Sequence, residues 1–248
     1  MPRLKLNCLS LRYSSWSMRP WLVLTHAGAA FETVTVELED VRRQGDPADT
    51  SGNLVTIEDS QLKERRALGS VHGLFPTLWI DGTPIHESLA ICEYAAEVFP
   101  DTRLWPDDAT ARAQARAVSC EMATGFLAMR GELSCHLIGR VPDHAPSDAT
   151  QKDISRIFEI WSECLDRSGG PLLFGEFGIA DAMYFPVLTR FRTYGIPVPA
   201  PLLEYARLLE ACPAVTKLME KSLTEPREPV YDDYLRELGG DPDAALPA

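Results

Sequence analysis

The apolar positions of the first hundred residues change period several times. "RLKLNCLSL" (Arg3 to Leu11) alternates apolar and polar as a strand does, "RPWLVLTHAGA" (Arg19 to Ala29) repeats at helical spacing, and "FETVTVELE" (Phe31 to Glu39) alternates again. This is a β-α-β beginning, and a crossover between parallel strands is right-handed in nearly all cases. "LFPTLWIDGTPIHES" then reads as a strand, an Asp81-Gly82 turn and a second short strand, a hairpin signal. "SLAICEYAAEVFP" puts Leu89, Cys92, Ala96 and Phe99 at helical spacing behind Ser88 as N-cap. Residues 1–101 are therefore expected to form a β-α-β-(loop)-β-β-α unit.

Between them, residues 41–70 are polar and rich in Asp, Gly and Ser, with a short helix expected around Ile57 to Leu68. A connection of that length inside a compact domain is usually functional or mobile. After Pro106 the alternating signal disappears. Val118, Met122, Phe126, Met129, Leu133 and Leu137 predict one long amphipathic helix over Ala109 to Arg140. A second runs from Ser147 through Ile154, Ile157, Phe158, Trp161 and Leu165, and a third, "IADAMYFPVLTRFRTYGI", is expected to bend at Pro186. Two short helices broken at Pro213 follow. The expected organisation is an α/β domain, a linker near Pro100 to Pro106, an all-α domain over 106–225, and a poorly ordered acidic tail over 226–248.

Composition narrows the partners. The 248 residues suit one or two domains, and 45% hydrophobic with 24% charged residues is ordinary for a globular chain. A net charge of −12, with no basic cluster larger than Lys63 to Arg66, argues against nucleic acid. No uncharged apolar run approaches the ~20 residues of a membrane span, and the start has no apolar targeting core, so the expectation is a cytoplasmic protein without a membrane partner. Six scattered cysteines without CxxC or metal-ligand spacing read as reduced, mostly buried thiols, and no metal site is expected.

Three local features carry chemistry. "YSSWSMRPW" (Tyr13 to Trp21) gathers three serines where a helix begins. Proline is tolerated in the first turn, so Pro20 puts the N-cap at about Trp16 to Ser17 and leaves Ser14 and Ser15 in the preceding loop. There, free N–H groups and the positive dipole end favour an anion, although simple capping also explains the serines. Pro76 heads a strand, which a cis Phe75-Pro76 bond would explain, although most X–Pro bonds are trans. Glu87 and Ser88 stand at another helix N-terminus, where Ser88 also suits an ordinary cap.

Taken together these features resemble the glutathione transferase superfamily, whose thioredoxin-like N-terminal domain precedes an all-helical one, over about residues 1–225. "YSSWSMRPWLVL" and "FPTLWIDGTPIHESLAICEYAAE" look most like bacterial serine-type members. They are also similar to the zeta class, whose "SSCSxR" signature corresponds to Ser14-Ser15-Trp16-Ser17-Met18-Arg19. The resemblance implies glutathione as co-substrate, a small electrophile as second substrate and a homodimer. Ser14, or failing it Ser15, would donate to the glutathione sulfur. Phe75 and the cis-proline Pro76 would hold the cysteinyl part, and Glu87 and Ser88 the γ-glutamyl end.

The chemistry is modest. A thiol of pKa about 8.5 is lowered two units by about 2.7 kcal/mol. A hydroxyl bonded to the anion gives roughly 1.5–3 kcal/mol and a helix N-terminus roughly 0.3–1 more. Two departures from the family pattern stand out: the long 41–70 loop, from which Lys63, Arg65 and His72 would reach a glycyl carboxylate or obstruct the site, and Gly178 where a capping Ser or Thr usually precedes Asp181. The electrophile pocket is expected from Met122, Phe126, Met129, Arg130 and Tyr184, though such a stripe is more often plain core, and Arg190 and Arg192 lie near where zeta-like isomerases use an arginine. The functional expectation is a serine-type glutathione transferase. Its alternatives are a zeta-type cis-trans isomerase and a non-catalytic binding protein of the same fold.

Overall fold

The computed structural model describes residues 2–37 and 59–244, so residues 41–58 of the expected loop lie outside the described residues. Strands β1 (Leu4–Cys8), β2 (Phe31–Thr35), β3 (Thr77–Ile80) and β4 (Thr83–His86) form one sheet in the order β2-β1-β3-β4. β1 and β2 are parallel; the other pairs are antiparallel. Helices α1 (Ser15–His26), α2 (Asp59–Ala67) and α3 (Ser88–Val98) complete the α/β unit read from the sequence. Leu4, Leu6, Cys8 and Leu78 are buried, as alternation demands. The carbonyl of Leu68, just past α2, accepts from Asn7 Nδ2 (2.9 Å), Thr77 Oγ1 (2.8 Å) and Trp79 Nε1 (3.1 Å), which pins that exit onto the sheet.

The rest is helical: α4 (Ala109–Thr124), α5 (Leu127–Glu132), α6 (Asp148–Ser168), α7 (Ile179–Thr193), α8 (Leu203–Glu210), α9 (Pro213–Ser222) and α10 (Pro229–Glu237). α7 is the spine, with every residue but Arg192 buried, and α1 packs against it and against α9. The two units thus share one apolar core, and no described helix is long and apolar enough to cross a membrane.

Three expectations are corrected. Helix α1 begins at Ser15 with Ser14 as N-cap, so Pro20 lies in the second turn rather than the first. The first turn is held without help from Pro20: Ser17 N–H donates to the Ser14 carbonyl (3.1 Å) and side chain (3.3 Å), and Met18 N–H to the Ser14 carbonyl (3.0 Å). The single helix expected over 109–140 ends at Thr124, since Gly125 is extended and Phe126 is left-handed at φ 61°. A Cβ on Gly125 would stand 2.9 Å from the Glu121 carbonyl oxygen. Finally, the described part of the expected tail, residues 226–244, folds around α10, with Pro229 in its first turn, while residues 245–248 lie outside the described residues. Charge neutralises charge there: Arg227 bonds Asp232 (2.8 Å) and Asp243 (2.8 Å), and Arg12 bonds Asp243 (3.1 Å).

Candidate functional site

Strand register gathers the three sequence motifs. Asn7 of β1 pairs with Thr77 of β3, and Thr77 pairs with His86 of β4. Pro76 precedes the second of these, Ser14 and Ser15 follow the first by one loop, and Glu87 and Ser88 follow the third. All three therefore lie at the same end of the sheet, beyond the carboxyl end of β1.

Ser14 is half-buried and Ser15 buried. The Ser14 hydroxyl accepts from Ser17 N–H and donates to Ser17 Oγ (2.9 Å), which in turn accepts from Leu9 N–H (3.1 Å). Ser17 is fully buried and its hydroxyl also meets the Cys8 thiol, whose ionisation burial suppresses. The third serine is thus a brace for the first. Ser15 Oγ has no partner among the described residues, nor have the N–H groups of Ser15 and Trp16, the first two of the helix. Free donors at a helix start form an anion site.

The Phe75-Pro76 peptide bond is cis, as the sequence suggested. The approach to it is held by Arg65 Nη1 donating to the Gly73 carbonyl (2.9 Å) and Ser70 Oγ to the Leu74 carbonyl (2.5 Å). Arg65 is buried in this turn, and the exposed His72 ring meets His86 edge-on at 5.7 Å. Lys63 is exposed on α2. Glu87, exposed, holds φ 70°, a region that side-chain-bearing residues rarely occupy and that clusters at functional positions. Beside it Ser88 is buried with its hydroxyl unpartnered, and the first three N–H groups of α3 have no acceptor among the described residues. A buried hydroxyl and free amides with nothing to bind are what an anionic ligand end would satisfy.

The expected electrophile-pocket residues are placed differently. Met122, Met129 and Tyr184 have no exposed surface, Tyr184 donating to the Val118 carbonyl at 3.2 Å. Phe126 is buried at the helix break, and Arg130 turns back onto the Gly125 and Met122 carbonyls. These five lie in the core and do not line an open face. Arg190 and Arg192 also hold main-chain carbonyls, those of Leu133 (2.7 Å) and Leu137 (2.6 Å).

The C-terminal segment lies against the loop that leads into Ser14. Ser10 Oγ donates to the Pro226 carbonyl (2.9 Å) and Leu11 N–H to Glu225 Oε2 (3.1 Å). Tyr13 stacks on Tyr231 and donates to Asp232 (2.8 Å), which is also bonded to His136 Nε2 (3.0 Å). Nδ1 of His136 accepts from Gly139 N–H (2.8 Å), so the ring is neutral with its proton on Nε2. Burial pushes its pKa down to about 4, against the opposing pull of Asp232, whose own pKa lies below the usual value because Arg227, His136 and Tyr13 outweigh its burial. This buried group has no periodic signature in the sequence, its members coming from three distant segments.

In the helical unit, Asp181 caps α7, its carboxylate accepting from Gly178 N–H (3.0 Å) and Leu173 N–H (3.1 Å). The missing hydroxyl at Gly178 has a steric cause: a Cβ there would sit 2.8 Å from the Leu104 carbonyl oxygen.

With this geometry in view, comparison with known proteins is informative. Residues 13–98 match the family model of the glutathione S-transferase N-terminal domain, and residues 145–221 that of the C-terminal domain. A probable maleylacetoacetate isomerase of Caenorhabditis elegans is 35% identical over 112 residues, 45% of this chain and 42% of that protein, so the matched stretch spans less than half of that relative. The maleylacetoacetate isomerase of Mus musculus is 29% identical over 190 residues, covering 75% of this chain and 79% of its own. A crystal structure of a glutathione transferase homologue from Burkholderia with bound glutathione superimposes with a TM-score of 0.64 at 23% identity, covering 90% of this chain and 99% of that one.

Proposed function

Because the chain belongs to the glutathione S-transferase superfamily, matched by family models in both halves, we propose that it binds glutathione at the sheet end described above and lowers the pKa of its thiol. The carrying observation is the Asn7, Thr77 and His86 register, which brings a helix start with free donors, the cis-proline turn and the unpartnered Ser88 hydroxyl to one place. The residues fit the tripeptide's chemistry. When bound, glutathione supplies the sulfur nucleophile that attacks an electrophilic carbon.

The chain's own groups do the rest. Ser15 Oγ and the Ser15 and Trp16 amides are free to stabilise a thiolate, and a rotation about its C–O bond turns the Ser14 proton from Ser17 toward the same point. One hydroxyl together with a helix start supplies roughly 2–4 kcal/mol, enough for about two pK units. The Phe75 backbone N–H and C=O, without partners among the described residues, suit the cysteinyl amide. Ser88 and the α3 amides suit the γ-glutamyl carboxylate, and Glu87 its ammonium.

The relatives named maleylacetoacetate isomerase favour a second reading, glutathione-dependent cis-trans isomerisation, in which the thiol is returned. One experiment addresses both. Glutathione-affinity retention and the ultraviolet difference spectrum of bound thiolate are measured on wild type, Ser14→Ala, Ser15→Ala and Ser88→Ala. Retention with a thiol pKa about two units below free glutathione is expected for wild type. Absence of both in wild type defeats both readings. Steady-state glutathione consumption then separates transfer from isomerisation.

A further inference from the structure

The loop that delivers Ser14 to the candidate site is shaped by the far end of the chain. Between β1 and α1, residues 10–13 belong to no strand or helix, yet all four are buried. Their own backbone closes one turn, in which Tyr13 N–H (3.1 Å) and Ser14 N–H (2.9 Å) donate to the Ser10 carbonyl. A donor from each of the four is taken up by residues 225–243. Ser10 Oγ donates to the Pro226 carbonyl (2.9 Å) and Leu11 N–H to Glu225 (3.1 Å). Arg12 Nη2 reaches the Pro242 carbonyl (3.0 Å) and Asp243 (3.1 Å), and the Tyr13 hydroxyl donates to Asp232 (2.8 Å). On the other side, the Arg12 carbonyl accepts from Leu137 N–H (2.9 Å).

Asp232 is the centre of this attachment. Its Oδ1 accepts from Tyr13 and from His136 Nε2 (3.0 Å), and its Oδ2 from Arg227 (2.8 Å). Against the raising effect of burial, the bonds from Arg227, His136 and Tyr13 keep Asp232 ionised, while burial and after it Asp232 keep the Tyr13 phenol protonated. The bond between them therefore runs from a neutral hydroxyl to a carboxylate, the charge-assisted kind. The Tyr13 ring also stacks on Tyr231 at 5.0 Å and meets His136 edge-on at 4.9 Å. Committed to Asp232, the Tyr13 hydroxyl is not itself available to a sulfur; what it does is fix the residue that precedes Ser14.

We propose that Asp232, acting through Tyr13, is a positioning residue for thiol ionisation: residues 225–243 hold the serine loop in the conformation that presents the Ser14 and Ser15 hydroxyls and the first amides of α1 to the glutathione sulfur. The inference rests on the glutathione reading above. Donors stabilise a developing anion best when they are already in place, within about 0.5 Å of the productive geometry, so that nothing has to reorganise as the charge forms. A loop without a ladder of its own acquires that rigidity from what is packed against it. The coupling is reciprocal: whatever factor the docked segment contributes to the thiolate, the bound thiolate returns to docking.

The test separates positioning from mere stability. The pKa of enzyme-bound glutathione is read from ultraviolet difference spectra against pH in wild type, Tyr13→Phe and Asp232→Ala. The affinity of each for S-methylglutathione, which keeps the rest of the tripeptide but has no thiol to ionise, is measured beside it. Tyr13→Phe keeps the ring and is expected to raise the bound thiol by about one pK unit, a tenfold smaller ionisation constant, with S-methylglutathione affinity unchanged. Asp232→Ala is expected to do the same or more. Arg236→Ala, which removes only the exposed pair with Asp233 on the same helix, should match wild type. A structural role alone would lower Tm and leave the pKa of the folded protein where it was.

Should Asp232→Ala not fold, wild type answers by itself. Amide exchange across residues 226–243 is expected to slow by up to about tenfold when glutathione is bound as the thiolate, and by less with S-methylglutathione. A wild-type thiol pKa that is lowered, but lowered equally in Tyr13→Phe and Asp232→Ala, overturns the positioning role and leaves the glutathione reading standing; so does exchange that responds alike to the two ligands. A wild type that leaves the thiol at its free value defeats the glutathione reading itself, and the positioning role falls with it.

Discussion

The Tyr13 hydroxyl donates to Asp232 at 2.8 Å, tying the residue before Ser14 to a helix more than two hundred positions later. Asp232 is buried and also holds His136 and Arg227, so one carboxylate fastens α10 to both units. Tyr13→Phe is expected to cost about 1 kcal/mol, one hydrogen bond. Asp232→Ala is expected to cost about 3 kcal/mol, because it strands buried partners. Urea unfolding measures both, and hydrogen exchange over 226–243 should accelerate in each; unchanged exchange there would contradict the tether.

Acid should loosen the same region. The His136 pKa is near 4 in the folded chain and near 6.5 once unfolded. Above pH 7 the ring is neutral in both states and contributes no slope. Between about 6.5 and 4 the unfolded chain takes up a proton that the folded chain refuses, so stability falls with acidification by as much as about 3 kcal/mol. Tm measured from pH 7.5 to 4.5 should decline more steeply in wild type than in His136→Gln. Parallel curves would show that His136 titrates alike in both states.

Gly178→Ser completes the usual capping pair on paper and should nevertheless destabilise. The new Cβ would stand 2.8 Å from the Leu104 carbonyl, which already accepts from Ile179 N–H at 3.0 Å. A cost of about 2 kcal/mol is expected, read by thermal or urea unfolding. A gain in stability would mean that the Leu104 segment yields easily.

The two serines should separate by stability. Ser14→Ala removes an N-cap and should cost about 1 kcal/mol in addition to weakening thiol ionisation. Ser15→Ala, which breaks no hydrogen bond among the described residues, should leave stability within about 0.5 kcal/mol and affect ionisation alone. Equal stability losses in the two variants would argue against the capping assignment.

Much of the candidate site was legible because its parts depend on local rules. Proline at a strand head and the Asp81-Gly82 turn announce themselves within a few residues, and the structure holds a cis Phe75-Pro76 bond that would explain the proline. Ser88, read as the N-cap of α3, is instead its first helical residue, Glu87 taking the cap position. The start of α1 was misjudged because Pro20 was read by propensity, whereas the Ser14 and Ser17 cap and burial against α7 and α9 sustain the helix through it. The stripe from Val118 to Leu137 looked continuous since periodicity does not register one left-handed residue at Phe126.

What the chain determines by itself is the sequence of elements and the alternation that makes each one bury a face, since periods of two and 3.6 are properties of neighbouring positions. What only the tertiary structure decides is which distant polar groups meet. Tyr13, His136 and Asp232, or Arg19, Arg130 and Arg190, come from distant segments, and nothing along the chain shows which of them share a space. Their pairing, or its absence, follows from how helices α1, α5, α7 and α10 pack, because only packing removes water and makes a missing partner costly.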